Sequence, residues 1–256
     1  MRDLATPPAG AAKVPAVTLV FWVMKVIATT LGETGGDALS MSAGLGYLAS
    51  TAVFAAVFAL FVGLQMRASR FHPWLYWATI IATTTVGTTL ADFADRSLGI
   101  GYAGGSSLLL ALLLASLIAW YRTLGTVAVE SVSTPAAEVF YWVTIMFSQT
   151  LGTALGDWTA DDEGLGLGYG GAALIFGGAL AAIAVAYYAT RISRTVLFWA
   201  AFVLTRPLGA VVGDFLDKPV AKGGLNLDRY AASGLLLAAL VVLLLVFRQR
   251  PAARAH

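Results

Sequence analysis

The sequence predicts an all-α membrane protein: a polytopic bundle of eight transmembrane helices, built from four tandem, parallel two-helix repeats. Three observations carry this. Apolar residues make up 59% of the chain and charged residues 12%, against about 25% charge in an ordinary soluble domain. Several apolar runs approach or exceed the ~18–20 residues that cross a bilayer. An aromatic-Trp pair also recurs four times, as Phe21-Trp22, Tyr76-Trp77, Tyr141-Trp142 and Phe198-Trp199.

The repeat extends beyond that pair. Ten residues after each Trp stand Gly32, Gly87, Gly152 and Gly209. Fourteen after it stand Gly36, Ala91, Gly156 and Gly213, and fifteen after it Asp37, Asp92, Asp157 and Asp214. Self-similarity at a fixed period marks a repeat architecture. A second apolar run follows each first half, near Leu45–Leu64, Leu98–Trp120, Tyr169–Ala189 and Tyr230–Phe247. Three of these runs open on Gly-x-Gly-Tyr, and the fourth on Asp228-Arg229-Tyr230. Two spans per unit make all copies insert in one direction, as parallel repeats. Copies two and four share Asp-Phe-x-Asp-cation (Asp92–Arg96 and Asp214–Lys218), and copies one and three share Leu-Gly-x-x-x-Gly-Asp. Both features point to two rounds of duplication. The expected layout is a disordered cytoplasmic tail (1–13), a single transmembrane domain (14–247) and a short cytoplasmic tail (248–256). The repeats are expected at about 14–66, 71–121, 136–190 and 194–247. The first apolar run is expected to be a retained anchor.

Charge placement sets the orientation. One side collects Arg2, Lys13, Arg67, Arg70, Arg122, Arg191, Arg194, Arg248, Arg250 and Arg254. The other has Arg96, Lys218, Lys222 and Arg229. The positive-inside rule then puts both termini in the cytoplasm and the Asp column on the far side. These scattered loop charges leave no reason to expect nucleic-acid binding.

The first helix of each pair carries a polar stripe. Offsets of seven, eleven and fifteen from the Trp share a face at 3.6 residues per turn. They give Thr29, Glu33 and Asp37, then Thr84, Thr88 and Asp92, then Gln149, Thr153 and Asp157, then Arg206, Ala210 and Asp214. Lys25 extends the first stripe. Intramembrane ionisable groups are costly and face a bundle interior or a wet path. Gly-x-x-x-small spacing lets helix backbones approach closely. Pro207 is expected to kink its helix, as broken helices do at transport sites.

With no Cys, disulfides and thiolate metal sites are excluded. The only histidines, His72 and His256, form neither a metal cage nor a catalytic triad. No nucleophile-base pair is apparent, so no enzyme and no cofactor are expected. Carboxylates and hydroxyls are hard oxygen ligands that suit Mn, Mg, Ca or protons. Asp37, Asp92, Asp157 and Asp214 are therefore the candidate ion and metal ligands, with Glu33 a deeper coupling acid. Lys25, Arg206, Thr29, Thr84 and Gln149 are the candidate gating residues. A structural role competes at each position: helix-end Asp residues bonding local partners, and Glu33 in a buried pair with Arg206 or Lys25. The Trp column is expected to anchor at the interface, and the Thr83–Thr85, Thr88, Thr89 run to bond its own helix backbone. Asp161, Asp162 and Glu163 are expected in a solvated turn.

The Trp and Gly columns resemble those of a bacterial family of membrane-anchored proteins defined by four tandem copies of a repeat of unknown function. The resemblance covers about residues 14–247 and implies residence in the bacterial cytoplasmic membrane. A weaker similarity is to manganese and calcium cation-proton exchangers, whose signature is Glu-x-Gly-Asp-Lys/Arg-Thr/Ser. Here Glu33-Thr34-Gly35-Gly36-Asp37-Ala38 has one extra residue and lacks the cation and the hydroxyl. The expected function is transport or export of a cation, a hard divalent metal such as Mn or a proton-coupled ion, with a role in metal homeostasis. The alternative is a non-transporting membrane scaffold or accessory subunit. The expected partners are the lipid bilayer and an inorganic cation or proton; an oligomer is compatible with the sequence.

Overall fold

The structure, a computed structural model, describes residues 12–97 and 99–252 apart from the Arg96 side chain. Arg2, Arg254, His256, most of the first expected tail and the last four residues of the second lie outside the described residues. Eight α-helices follow in order: α1 Leu19–Asp37, α2 Tyr47–Arg67, α3 Pro73–Asp92, α4 Tyr102–Leu124, α5 Pro135–Ala160, α6 Gly168–Ala189, α7 Arg194–Asp217 and α8 Arg229–Val246. No strand occurs among the described residues. Local chemistry starts several helices. The Thr18 and Thr134 hydroxyls accept from the backbone N–H of Phe21 and Ala137, and Pro73 and Pro135 open α3 and α5, where a missing N–H costs nothing. The Gly-x-Gly turns have a backbone reason: Gly44, Gly46, Gly99, Gly101, Gly166 and Gly168 all have φ between 63° and 76°. The fourth copy instead places Asn226 at φ 54° and caps α8 with Asp228.

Five helices (α2, α4, α6, α7 and α8) are long and apolar enough to cross a membrane, which makes this a membrane protein. Eight such helices were expected. α1, α3 and α5 are less apolar because they carry polar stripes, and packing shows why this is tolerated. The first helices of the four repeats form a closed ring, α1 on α3, α3 on α5, α5 on α7 and α7 on α1. The second helices stand outside it. Each leans on the first helix of the next repeat, α2 on α3, α4 on α5, α6 on α7 and α8 on α1. The outer helices expose their apolar side chains, such as Leu60, Leu114, Leu174 and Leu235, while the polar stripes face one another. α7 runs unbroken through Pro207, so the expected mid-span discontinuity does not occur.

The glycine columns make the ring close. A Cβ on Gly32 would overlap Thr84, one on Gly87 Gln149, one on Gly152 Arg206, and one on Gly209 Thr29. Each glycine thus receives the residue seven after the Trp of the next copy, and the fourth copy receives the first. The second column repeats the pattern: Gly36 meets Thr88, Gly156 meets Ala210 and Gly213 meets Glu33. Four equivalent joints amount to pseudo-fourfold symmetry.

The Trp column does not face a lipid interface. Trp77, Trp142 and Trp199 are at most 5% exposed and Trp22 is half-buried. Each is met by the aromatic residue of the preceding copy, Phe21 on Trp77 (5.7 Å), Tyr76 on Trp142 (5.8 Å), Tyr141 on Trp199 (6.3 Å) and Phe198 on Trp22 (5.7 Å). This aromatic layer floors the ring, because burying a ring face stabilises more than wetting it. The chain ends strap across it. Lys13 N–H donates to Val132 O, Ala16 N–H to Arg250 O and Ala252 N–H to Val14 O, and the Lys13 ammonium pairs with Glu138 at 2.7 Å. Ala12, Lys13 and Ala252 are therefore packed, although the expected tails included them. Trp77→Ala is expected to lower stability by about 3–5 kcal/mol, as for a fully buried aromatic. Trp74→Ala, at a 44% exposed residue of the same helix, is expected to change it by less than about 0.5 kcal/mol. Unfolding curves in detergent measure both.

Candidate functional site

Above the aromatic floor the ring axis is a stack of side-chain layers, one per helical turn. Three residues past the Trps stand Lys25, Ile80, Ile145 and Phe202, all inaccessible to solvent. Lys25 Nζ lies 4.0 Å from the Phe202 ring centre and donates to Thr205 Oγ1 at 3.3 Å. The next layer holds Thr29, Thr84, Gln149 and Arg206, again fully buried. Thr29 donates to the carbonyls of Val26 (2.9 Å) and Thr205 (3.2 Å).

Arg206 ties the third layer together. Its Nη2 donates to Glu33 Oε2 (2.9 Å), Thr88 Oγ1 (2.6 Å) and Thr153 Oγ1 (2.5 Å). These acceptors are the residues eleven past the Trp in copies one, two and three. One guanidinium from copy four thus closes the axis by touching the other three copies. Of the two sequence-level partners for Glu33, the structure selects Arg206, not Lys25. Ala210, the small member of this layer, lies against Gly156.

The Asp layer is divided. Asp37 and Asp214 come together across the joint of copies one and four, and Asp217 joins them. The three buried residues each present a carboxylate oxygen within 4.8 Å of the others. Asp92 and Asp157 lie outside that trio. Lys218 Nζ contacts Asp37 Oδ2 and reaches Asp214 Oδ1 at 3.0 Å. Arg229 Nε pairs with Asp217 Oδ2 at 2.8 Å and approaches Asp37 Oδ2 at 3.9 Å. Lys218 stands just past the end of α7. Burial pulls its ammonium down, but Asp214, Asp37 and Asp217 outweigh this and hold it well above the ordinary lysine range. Chemically, three clustered hard oxygen donors are already answered by two cations from the chain, Lys218 on Asp37 and Asp214 and Arg229 on Asp217.

Lys218, Asp217 and Arg229 were not among the expected site residues, yet the sequence carried their signals. The Asp-Phe-x-Asp-cation pattern holds Asp217 and Lys218, but it was read only as a mark of duplication. Arg229 sits where copy four departs from Gly-x-Gly-Tyr. Most of the Thr run behaves as expected: Thr83, Thr85, Thr88 and Thr89 donate to their own helix backbone, but Thr88 also donates across to Gly32 O and the Thr84 hydroxyl has no hydrogen-bond partner among the described residues. Near the same end, Asp95, Tyr102, Asp161, Asp162, Glu163 and Lys222 help line an open cavity of about 630 Å³, where the Tyr102 hydroxyl donates to Asp161 Oδ2 at 2.6 Å. The expected solvated turn is one wall of this vestibule.

No curated protein and no solved structure matches the chain. A family model described as Repeat of Unknown Function (DUF347) matches residues 20–71, 75–126, 140–193 and 197–250. Those four segments coincide with the consecutive helix pairs α1–α2, α3–α4, α5–α6 and α7–α8, and the chain belongs to the DUF347 repeat family.

Proposed function

We propose that the protein is an eight-span transporter of a hard inorganic cation in the bacterial cytoplasmic membrane, with both termini cytoplasmic. The substrate is a divalent metal such as manganese, or a cation exchanged for protons. One observation carries this reading: in the buried trio Asp37, Asp214 and Asp217, two carboxylates already hold a cation, the Lys218 ammonium, and the third is held by Arg229. In this reading Lys218 is a tethered stand-in for the substrate. A hard cation takes carboxylate oxygens readily, and its arrival displaces the ammonium. Lys218 follows the last residue of α7, so its release breaks no helix.

Glu33 lies one turn deeper than Asp37 on α1 and is the next carboxylate inward. Arg206 holds it. An ion passing from Asp37 to Glu33 must exchange with the guanidinium, which makes the Glu33–Arg206 pair the gate. With the gate shut, Arg206 and Lys25 repel a cation on the axis. The polar ring explains how α1, α3 and α5 cross the bilayer despite modest apolarity, since α2, α4, α6 and α8 screen them from lipid.

Flux into proteoliposomes tests the reading. Purified protein with a metal-sensitive dye inside the vesicles is expected to admit Mn²⁺, and Asp214→Asn or Asp37→Asn to abolish entry while the protein stays folded. Lys218→Met is expected to tighten Mn²⁺ binding by removing the competing cation. A second reading is a non-transporting scaffold. It is favoured by the way Arg206 fastens all four copies through one guanidinium. No flux of Mn²⁺, Mg²⁺, Ca²⁺ or protons by folded wild-type protein would decide for the scaffold.

A further inference from the structure

The inner layers of the ring hold two basic side chains and one acidic one. Lys25 and Arg206 are both completely buried, and one carboxylate, Glu33, answers them. Glu33 is spoken for by Arg206. Among the described residues Lys25 forms no ion pair: its ammonium has one hydroxyl, Thr205 Oγ1, and the face of Phe202. A buried ammonium without a counter-charge is costly in protein and more so in a membrane.

The same region also holds polar atoms without partners. In the layer of Thr29, Thr84, Gln149 and Arg206, hydrogen-bond partners are missing for Arg206 Nε and Nη1, both amide atoms of Gln149, and Thr84 Oγ1. Buried polar groups are nearly always paired, and each exception calls for a cause such as a bound ion or water. Four of these five atoms are donors or can donate. Lys25 stands one turn below and bonds Thr205, the residue preceding Arg206. Gln149, Thr84 and Arg206 occupy equivalent positions on three adjacent helices of a closed ring, so their unpaired donors sit at one level around the axis.

We propose that this level binds a small monovalent inorganic anion of the halide class, held by Arg206, Gln149 and Thr84 and neutralising Lys25. One negative charge balances the single cation, Lys25, that is left once Glu33 answers Arg206. Complete burial favours a compact ion with a small hydration cost over phosphate or a carboxylate. The anion completes the ring at the layer where donors outnumber acceptors and locks α3, α5 and α7 to α1. This site goes beyond the cation reading and shares no ligand with the Asp37 trio.

The test is thermal unfolding of purified full-length protein in detergent at constant ionic strength, with chloride or bromide titrated against gluconate. Chloride and bromide are expected to raise Tm saturably. Gln149→Leu and Lys25→Met are each expected to weaken the apparent chloride affinity about tenfold or more, the loss of one hydrogen bond or charge contact to an ion. Asp214→Asn and Arg194→Gln, at an exposed cation, are expected to keep the full halide response. Each variant must unfold cooperatively in gluconate, so that a lost response is not a lost fold. The proposal is overturned if wild-type Tm is indifferent to halide, which would leave Lys25 a neutral amine among waters. It is equally overturned if Gln149→Leu and Lys25→Met respond to chloride as wild type does. Loss of Mn²⁺ flux in Asp214→Asn with an intact chloride response would separate the two sites.

Discussion

Arg206→Met is expected to destabilise the protein by about 3–5 kcal/mol, the usual cost of removing one member of a buried ion pair. The guanidinium makes contacts to Glu33, Thr88 and Thr153, so its loss releases three copies at once and strands a carboxylate in the bundle core. Adding Glu33→Gln to Arg206→Met is expected to recover much of the loss, because the stranded charge goes with it. A double-mutant cycle of unfolding free energies in detergent reads this coupling. Additive losses would show that the two side chains do not act as a pair.

The second large effect concerns volume. Gly209→Ala is expected to cost at least ~1–3 kcal/mol, the range for overpacking a close-packed interior, and Gly209→Val more. A Cβ there would overlap the Thr29 side chain and lie 3.0 Å from the Thr29 carbonyl carbon. Backbone cannot swing aside as a flexible side-chain end can. Gly178→Ala on α6 supplies the opposite sign. Its Cβ would meet nothing within 4 Å, and replacing a mid-helix glycine by alanine gains about 0.5–1 kcal/mol. Thermal unfolding of the two variants side by side should show shifts in opposite directions.

The repeat made most of the fold legible. Columns in strict register named the two helices of each unit, and the glycine column marked where backbones approach. The swapped leaning of outer helices onto the next repeat was not legible. Periodicity reports which face of a helix is polar but not which neighbour covers it. The Trp residues were misplaced for a related reason. An amphipathic ring suits a lipid interface and an aromatic floor equally well, and only the pairing of Phe21 with Trp77 and its three equivalents distinguishes them. At the site, Glu33 with Arg206 could be anticipated because both stood as isolated charges on inward faces, at positions eleven and seven past their Trps. The Asp column misled because symmetry suggested four equal ligands. Copies two and four carry an extra cation four residues after the Asp, and in copy four that cation gathers Asp37 and Asp214 into a pair.

The ring-closing contact between α7 and α1, and the Arg206 bridge across it, set an order of events at the ribosome. Glu33 precedes its partner by 173 residues. At a synthesis rate of about 5–20 residues per second, the acid waits on the order of 10–30 s before Arg206 is even made. In the proposed eight-span topology, the nascent first hairpin carries an unanswered carboxylate and ammonium through that interval, in the bilayer or in the insertion machinery. Release into lipid is then a late event, tied to delivery of the last quarter of the chain.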